Sequence, residues 1–482
     1  MDRYLIGIDY GGTVTKAAVF DCRGGQMSVC SEKTDVRFSE DGRCEIDSLR
    51  LKKTVMSVIR GAVAGCGIDP SLIACVGISG HGKGLYVTDK NGEPVGNGIL
   101  SSDRRGEEIA ERWRRDGTSR RAKALTLQDA DAPLPPVLLR WLKENEPDDY
   151  KRIGKVFEAK DYIRYLLTGE AFAEVTDYSG AGLMDLVNQR FDPGITDVFG
   201  ISEVYEAIPP AVHSADRCGV LTAEAAELCG LEKGTPVCGG LFDIDACAVA
   251  LSAASPGDIC VITGTWSINE YVSDSPVISD DGTRNSLFAL PGRYLIEQSS
   301  PTSAGNLDFF INVLFGGMKY KEADELVKAC SYNNVIFTPY LYGTNARAET
   351  ASLAGLTRAH TRADILRAVF EGVAFSHKLH FDKLCSHRDA PDTVLMGGGV
   401  CSSGVWTQMF SDVLGVRLRT SAVKELGALG AAVCAAVCAG IYPDLRTAAK
   451  AMTGDGAVYE PDPSATAVYR EKYGKFLEEA NR

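Results

Sequence analysis

Two segments half a chain apart repeat one pattern, and this repeat limits the fold more than any other feature. Residues 4–21 read YLIGIDYGGTVTKAAVFD: an apolar strand ends in Asp9, a Gly11-Gly12-Thr13 turn follows, and a second strand ends in Asp21. Residues 258–274 read DICVITGTWSINEYVSD: a strand, a Gly264-Thr265 turn, a second strand and a closing Asp274. Two strand–turn–strand units predict two related lobes. After the first unit, Val55, Val58, Ile59, Ala62 and Val63 recur at helical spacing before the strand IACVGISG (73–80), and after the second, Ile365, Leu366, Val369, Phe370 and Val373 do so before TVLMGGG (393–399). Strands alternating with helices predict an α/β fold. The lobes are expected to divide as 1–237 and 238–482, within VCGGLFDIDAC. Residues 158–186 read as an α-rich insertion or cap, and the Ala- and Gly-rich stretch near 426–441 as a buried core helix.

Bulk properties remove several classes of function. The formal net charge is −13 over 482 residues, which argues against a nucleic-acid partner, because phosphate backbones need a basic face. No run of 18 apolar residues appears, so no membrane span is expected. The fifteen cysteines show no CxxC pair and no zinc spacing; Cys434 and Cys438, one helical turn apart, read as small packing residues. Unpatterned cysteines and the absence of a leader at the first residues lead us to expect a cytoplasmic protein.

Both turns suit phosphate. Gly11 and Gly12 let backbone N–H groups approach an anion with no Cβ in the way, Thr13 and Thr15 add hydroxyls, and Lys16 adds a cation. Asp9 at its strand end can hold Mg²⁺, which binds through one or two carboxylates. A plain hairpin explains this turn equally well when it is taken alone. Gly264 and Thr265 form a matching half, and Gly397-Gly398-Gly399 allows a third close approach, or a tight turn only. Neither the Walker nor the Rossmann glycine spacing is present.

In order along the chain, these pieces resemble the FGGY family of carbohydrate kinases. Asp9-Tyr-Gly11-Gly12-Thr13-Val-Thr15-Lys16 is similar to its first phosphate motif, Gly239-Gly240-Leu-Phe-Asp243 to its segment with the catalytic Asp, and Gly264-Thr265 to its second phosphate motif. Gly397-Gly398-Gly399, Trp406, Gln408 and Glu425 with Gly427-Ala428-Leu-Gly430 resemble its adenosine motif. The resemblance implies two actin-like (ribonuclease H-like) lobes around a cleft, with sugar on the first and ATP on the second. It implies that Asp243 is the general base and shares Mg²⁺ with Asp9. It also implies that Gly305, Gly398, Gly399 and Ser403 join the two turns in nucleotide binding. Gly12, where many members have Thr, and Gly343-Thr344-Asn345, where many have Gly-Glu-Arg, depart from the family. Asp245, two residues past Asp243, reads as a helix-capping or solvated carboxylate.

Two further segments resemble the family's sugar site: Ser79-Gly-His81-Gly-Lys83-Gly84, and Asp103-Arg-Arg105 after Ile99-Leu100. His81, Lys83, Asp103, Arg105 and Asp243 are therefore the expected sugar ligands. With LLRWLKENEP (138–147), KDYIRYLLTG (160–169) and PTSAGNLDFF (301–310), they are especially similar to the L-xylulose kinases of the family. A ketopentose such as L-xylulose is the expected substrate and a homodimer a candidate assembly. Erythritol or 3-keto-L-gulonate kinases, a non-catalytic sugar sensor and a chaperone-type ATPase are the competing readings.

Overall fold

The computed structural model describes residues 3–264, 266–343 and 350–481. The repeat in the sequence becomes a repeat of topology. In the first half, β1 (Tyr4–Tyr10), β2 (Val14–Asp21) and β3 (Gln26–Lys33) form an antiparallel meander. Helix α1 (Ser48–Cys66) crosses over to β4 (Ile73–Gly80), parallel to β1. The sheet continues through β5 (Arg217–Val220) and β6 (Pro236–Cys238), and β7 (Leu241–Phe242) also pairs with β4. In the second half, β8 (Ile259–Thr263), β9 (Ser267–Ser273), β10 (Arg284–Leu287) and β11 (Tyr294–Ser300) are antiparallel neighbours in the order β10-β11-β9-β8. Parallel β12 (Thr393–Gly398) and β13 (Arg417–Ser421) then follow, with β14 (Asp455–Tyr459) at the edge. The orders β3-β2-β1-β4-β6 and β11-β9-β8-β12-β13 are the same arrangement twice, as expected for two actin-like lobes.

Helices α2 (Ala159–Thr168) and α3 (Val175–Gly180) belong to the first half. In the second, α4 (Asp243–Ala250) follows β7, and α5 (Gly305–Phe309) and α6 (Arg362–Ser386) precede β12. They are followed by α7 (Gly404–Leu414) and α8 (Leu426–Cys438). Residues 158–186 correct the expectation of a cap: Lys160, Asp161 and Arg164 of α2 have 0% exposure. Inside the lobe these two cations and one acid are paired together with Glu174 and Asp177.

Helix α8 is the buried core helix that its composition foretold. Its small residues let backbone meet backbone. A Cβ added to Gly7 of β1 would lie 1.8 Å from the Ala428 carbonyl oxygen, and one on Gly77 of β4 would lie 2.0 Å from that of Ala431. On the opposite side, a Cβ at Gly430 would lie 2.1 Å from the Ala246 carbonyl oxygen of α4. One hydrophobic cluster accordingly takes Leu5, Phe20 and Cys75 from the first half and Ile262, Leu395 and Leu429 from the second. Cys434 is buried in it and Cys438 packs against it, as small packing residues do.

The expected cost of filling this contact sets a test. Gly430→Ala forces α4 and α8 apart and lowers stability by about 1–3 kcal/mol or more, the range for overpacked cores. Gly12→Ala, where a Cβ meets nothing within 4 Å, stays within about 0.5 kcal/mol of wild type. Urea unfolding of both variants checks this, and equal midpoints would contradict the close-packing account.

Candidate active site

Three strand ends assemble the site. Asp9 near the end of β1 pairs with Ser79 of β4, and β7 lies on the other side of β4 with Phe242 opposite Gly80. Asp9, the Gly80-His81 corner and Asp243 therefore stand side by side at the carboxyl ends of parallel strands, where α/β sheets bind ligands. The second lobe repeats this edge. The turn after β8 begins with Gly264, whose N–H donates to the Trp266 carbonyl at 3.3 Å. Beside it Gly398 has a φ of +97°, and a Cβ there would lie 2.5 Å from the Thr263 carbonyl oxygen, so only glycine fits. The Thr263 hydroxyl donates to Gly397 O at 2.9 Å and accepts from Val400 N at 3.3 Å, which fixes the Gly398-Gly399 corner.

Among the described residues no cation forms an ion pair with the carboxylates at the centre. Asp9 accepts one long bond, from the Ser79 hydroxyl at 3.4 Å, and rests on Gly427 in the first turn of α8, where an added Cβ would lie 2.6 Å from its carboxyl carbon. Helix N–H groups there favour an anion. Burial nevertheless pushes Asp9 up to about 6; Lys16 pulls it down and Glu425 pushes it up. Asp243, first residue of α4, is held well above the usual carboxylate range by burial and then by the charges of Asp9 and Asp177. Lys16 relieves Asp9 only in part, because its ammonium also pairs with Glu425 at 2.7 Å. Two neighbouring buried carboxylates are a donor set that would suit Mg²⁺.

Several expected ligands take other positions. Thr15 is fully buried and its hydroxyl meets that of Thr34 at 3.1 Å, which in turn donates to Gly11 O at 2.8 Å, so it faces into the lobe and braces the turn from inside. Strand alternation explains this, since Thr15, Ala17 and Val19 share one face. Gly11 closes the turn through its N–H to Val14 O at 3.1 Å, while Gly12 and Thr13 are exposed and open to a ligand. Ser403 caps α7 by accepting from Trp406 N at 3.0 Å and donates to Asp324 at 2.7 Å. The Gly305 carbonyl accepts from the Tyr342 hydroxyl at 3.3 Å. Thr265, Thr344 and Asn345 lie outside the described residues.

Asp103 and Arg105 correct the picture of a sugar grip. Asp103 is 1% exposed, and its oxygens accept from Cys44 N (2.7 Å), Arg105 N (2.9 Å), Arg105 Nε (2.9 Å) and a terminal guanidinium nitrogen of Arg105 (2.8 Å). Arg105 also pairs with Glu45 and lies 5.1 Å from the Trp141 ring centroid. The pair is satisfied internally and holds its loop; it has no spare oxygen for a ligand. His81 and Lys83 fit better. His81 makes only long contacts, 3.4 Å to Gly82 O and to the Tyr86 hydroxyl, and burial brings its pKa down to about 4, so it is neutral. Lys83 has a left-handed backbone (φ +64°), a strained state for a side-chain-bearing residue that clusters at functional loops. Burial, then Arg284, lowers its ammonium to about 8.

Asp245 is neither a cap nor solvated. It is fully buried, accepts from Ala289 N at 3.2 Å through one oxygen and leaves the other unpartnered. The sequence also gave no notice of a buried charge cluster beneath the site. The Lys160 ammonium lies 2.7 Å from Asp161, 3.2 Å from Glu174 and 3.4 Å from Asp177, and Arg164 lies 2.6 Å from Asp161. Asp177, pushed up to about 8 by burial, borders Gly82 together with the Phe242 ring.

Comparison with known proteins agrees with this geometry. The profile for the FGGY family of carbohydrate kinases, N-terminal domain, matches residues 4–250, and that for the C-terminal domain matches residues 259–439. An L-xylulose/3-keto-L-gulonate kinase of Escherichia coli is 36% identical over 99% of this chain and 96% of its own. A probable L-xylulose kinase of Haemophilus influenzae is 33% identical over 98% of each. Among solved structures, a ligand-bound xylulose kinase from Lactobacillus acidophilus superposes with a TM-score of 0.91 at 22% identity, covering 99% of this chain and 98% of that one, which establishes the fold. The chain belongs to the FGGY family of carbohydrate kinases. It is a sugar kinase, and kinases of this family use ATP. Among the described residues no helix is long and apolar enough to cross a membrane.

The raised Asp9 carboxyl gives a signed expectation. Its pKa moves from 3.8 unfolded to about 6 folded, so the folded state holds the proton more tightly. Ionisation then costs the native state stability as pH climbs from 3.8 through 6. Asp9→Asn escapes that cost, so its melting temperature should gain on wild type more at pH 7.5 than at pH 4.5. Scanning calorimetry of both proteins without nucleotide checks this; a difference independent of pH would contradict it.

Proposed function

We propose that the protein transfers the γ-phosphoryl group of ATP to a hydroxyl of a ketopentose such as L-xylulose, with Asp243 as general base. The observation that carries this reading is the placement of Asp243 at the start of α4 beside the Gly80-His81 corner, with Asp9 close enough for its charge to act on the Asp243 carboxyl. In this reading residues 1–237 hold the sugar and residues 238–482 hold ATP. His81 and Lys83 line the sugar, neutral imidazole and ammonium both being able to donate to hydroxyls. The Asp243 carboxylate takes the proton as the sugar oxygen attacks the γ-phosphorus. The new P–O bond forms as the bond to the β-phosphate oxygen breaks, and ADP leaves with that electron pair. Phosphoryl transfer asks mainly for alignment and charge neutralisation. In this reading the exposed Gly12-Thr13 backbone supplies both at the phosphates.

Mg²⁺ would be held by Asp9 with Asp243, and the chemistry it supplies is neutralisation of the phosphates and of this carboxylate pair. An opposite charge there would favour the ionised form of Asp243, the form a general base needs.

The name of the Escherichia coli relative favours a second substrate, 3-keto-L-gulonate. That sugar acid carries a carboxylate, and Lys83 is a cation within the proposed sugar loop. One assay series separates these outcomes. Asp243→Asn should lose on the order of 10²–10⁴ in kcat with sugar binding retained, the range for a lost general base. Turnover within about tenfold of wild type would remove Asp243 from that role. In a panel of L-xylulose, D-xylulose, L-ribulose, erythritol, glycerol and 3-keto-L-gulonate, kcat/KM should rank a ketopentose first, and erythritol or glycerol in first place would contradict the assignment. Lys83→Met should lower kcat/KM for 3-keto-L-gulonate more than for L-xylulose, and equal losses would place the carboxylate elsewhere.

A further inference from the structure

Asp243 sits at the start of α4, directly after a strand of two residues, Leu241 and Phe242. So short a strand fixes its own direction weakly, and the residues before it are glycines, Gly240 with a φ of +86°. Yet the direction in which Phe242 leaves this strand decides where the Asp243 carboxyl points. Something outside the strand must hold it.

The backbone N–H of Phe242 donates to a side chain, the Thr176 hydroxyl of α3, at 3.0 Å. Thr176 has 0% exposure. Its hydroxyl carries one proton, and that proton is committed: it is donated to the Glu174 carboxylate at 2.6 Å. A hydroxyl whose proton is spent can only accept. Glu174 therefore orients the Thr176 lone pair toward Phe242. Glu174 is itself fixed, accepting from the Ser214 hydroxyl at 2.7 Å through its other oxygen and lying 3.2 Å from Lys160. The chain from Lys160 through Glu174 and Thr176 to Phe242 N–H is continuous, buried and directional.

A second arm ends on the same segment. Lys160 pairs with Asp161, Asp161 with Arg164, and Arg164 donates to the Gly239 carbonyl. Two ties, at Gly239 and Phe242, thus bracket the turn that delivers Asp243, and both lead back to one buried ammonium. The Phe242 side chain extends the effect: a Cβ on Gly82 would lie 2.5 Å from its ring, so Phe242 also braces the His81-Gly82-Lys83 loop.

We propose that Thr176 is a positioning residue for the phosphoryl transfer: its Glu174-oriented hydroxyl sets the backbone at Phe242 and thereby the aim of the Asp243 carboxyl. The inference rests on the reading of Asp243 as general base. Reactions that depend on a near-attack arrangement lose on the order of 10²-fold when a group is misplaced by about 1 Å. The ATP site lies largely on the other lobe and should not register the change.

Four proteins, wild type, Thr176→Val, Thr176→Ser and Asp243→Asn, compared in kcat and in KM for ATP and for the best sugar of the panel, test it. Thr176→Val keeps the shape and removes the hydroxyl. It should lose about 30-fold or more in kcat with KM for ATP within about threefold, the signature of lost alignment. Thr176→Ser restores the hydroxyl and should stay within about threefold of wild type in kcat, since the same acceptor remains. A merely structural role for Thr176 would not give this split between KM and kcat with rescue by serine. Thr176→Val turning over like wild type, or Thr176→Ser damaged as badly as Thr176→Val, would overturn the proposal. If Thr176→Val does not fold, Thr176→Ala takes its place in the same comparison, with the same two outcomes. Near-normal turnover by Asp243→Asn removes the base assignment itself; an inactive Asp243→Asn beside an unimpaired Thr176→Val removes only the positioning role.

Discussion

The contact on which the rest depends is the backbone-to-backbone seat of helix α8. It presses against β1 at Gly7, against β4 at Gly77 and against α4 at Gly430, with no room for a methyl group at any of the three. Dispersion between close-packed atoms is small per pair and large in sum, and glycine and alanine allow the most pairs per turn of helix. The seat makes the two halves share a core and fixes the distance between their sheets. Because α8 begins at Leu426 beside Asp9, and α4 begins at Asp243, the same seat fixes these two carboxylates relative to each other.

Electrostatics then takes over from packing. Asp9, Asp243 and Asp177 are carboxyls raised first by burial, and the charges of Asp9 and Asp177 both push Asp243 further up. The nearest cation to Asp9, Lys16, is spent on Glu425, which ties β2 to the entrance of α8. Burial holds Asp9 and Asp243 above the usual carboxylate range, so ionising them costs the fold stability. Beneath it, Lys160 sits among Asp161, Glu174 and Asp177, so the floor of the site is built from charges that balance internally.

Much of this was legible in the chain. The repeated strand–glycine turn–strand units foretold the repeated sheet order, because a strand pair with a glycine turn has few ways to fold. The Ala- and Gly-rich run near 426–441 announced a helix with no side chains to keep its neighbours away. Thr15 was misread although strand alternation placed it with Ala17 and Val19, on the inner face. Asp103 and Arg105 were misread for a deeper reason: an acid and a base two residues apart look alike whether they grip a sugar or each other. The cluster around Lys160 was not legible at all. Its partners come from positions 160, 161, 164, 174 and 177 in a segment of surface-like composition, and only the fold shows that the charges cancel in the dark.

The most direct measurement is a crystal structure with a non-hydrolysable ATP analogue, Mg²⁺ and L-xylulose bound together. The account requires one sugar hydroxyl within about 2.6–3.2 Å of the Asp243 carboxylate, the reach of a general base. It also requires the phosphates to lie between the Gly11–Thr13 turn and Gly264. A reacting hydroxyl bonded to a different carboxyl, Asp177 or Asp245, or phosphates seated away from both turns, would contradict it.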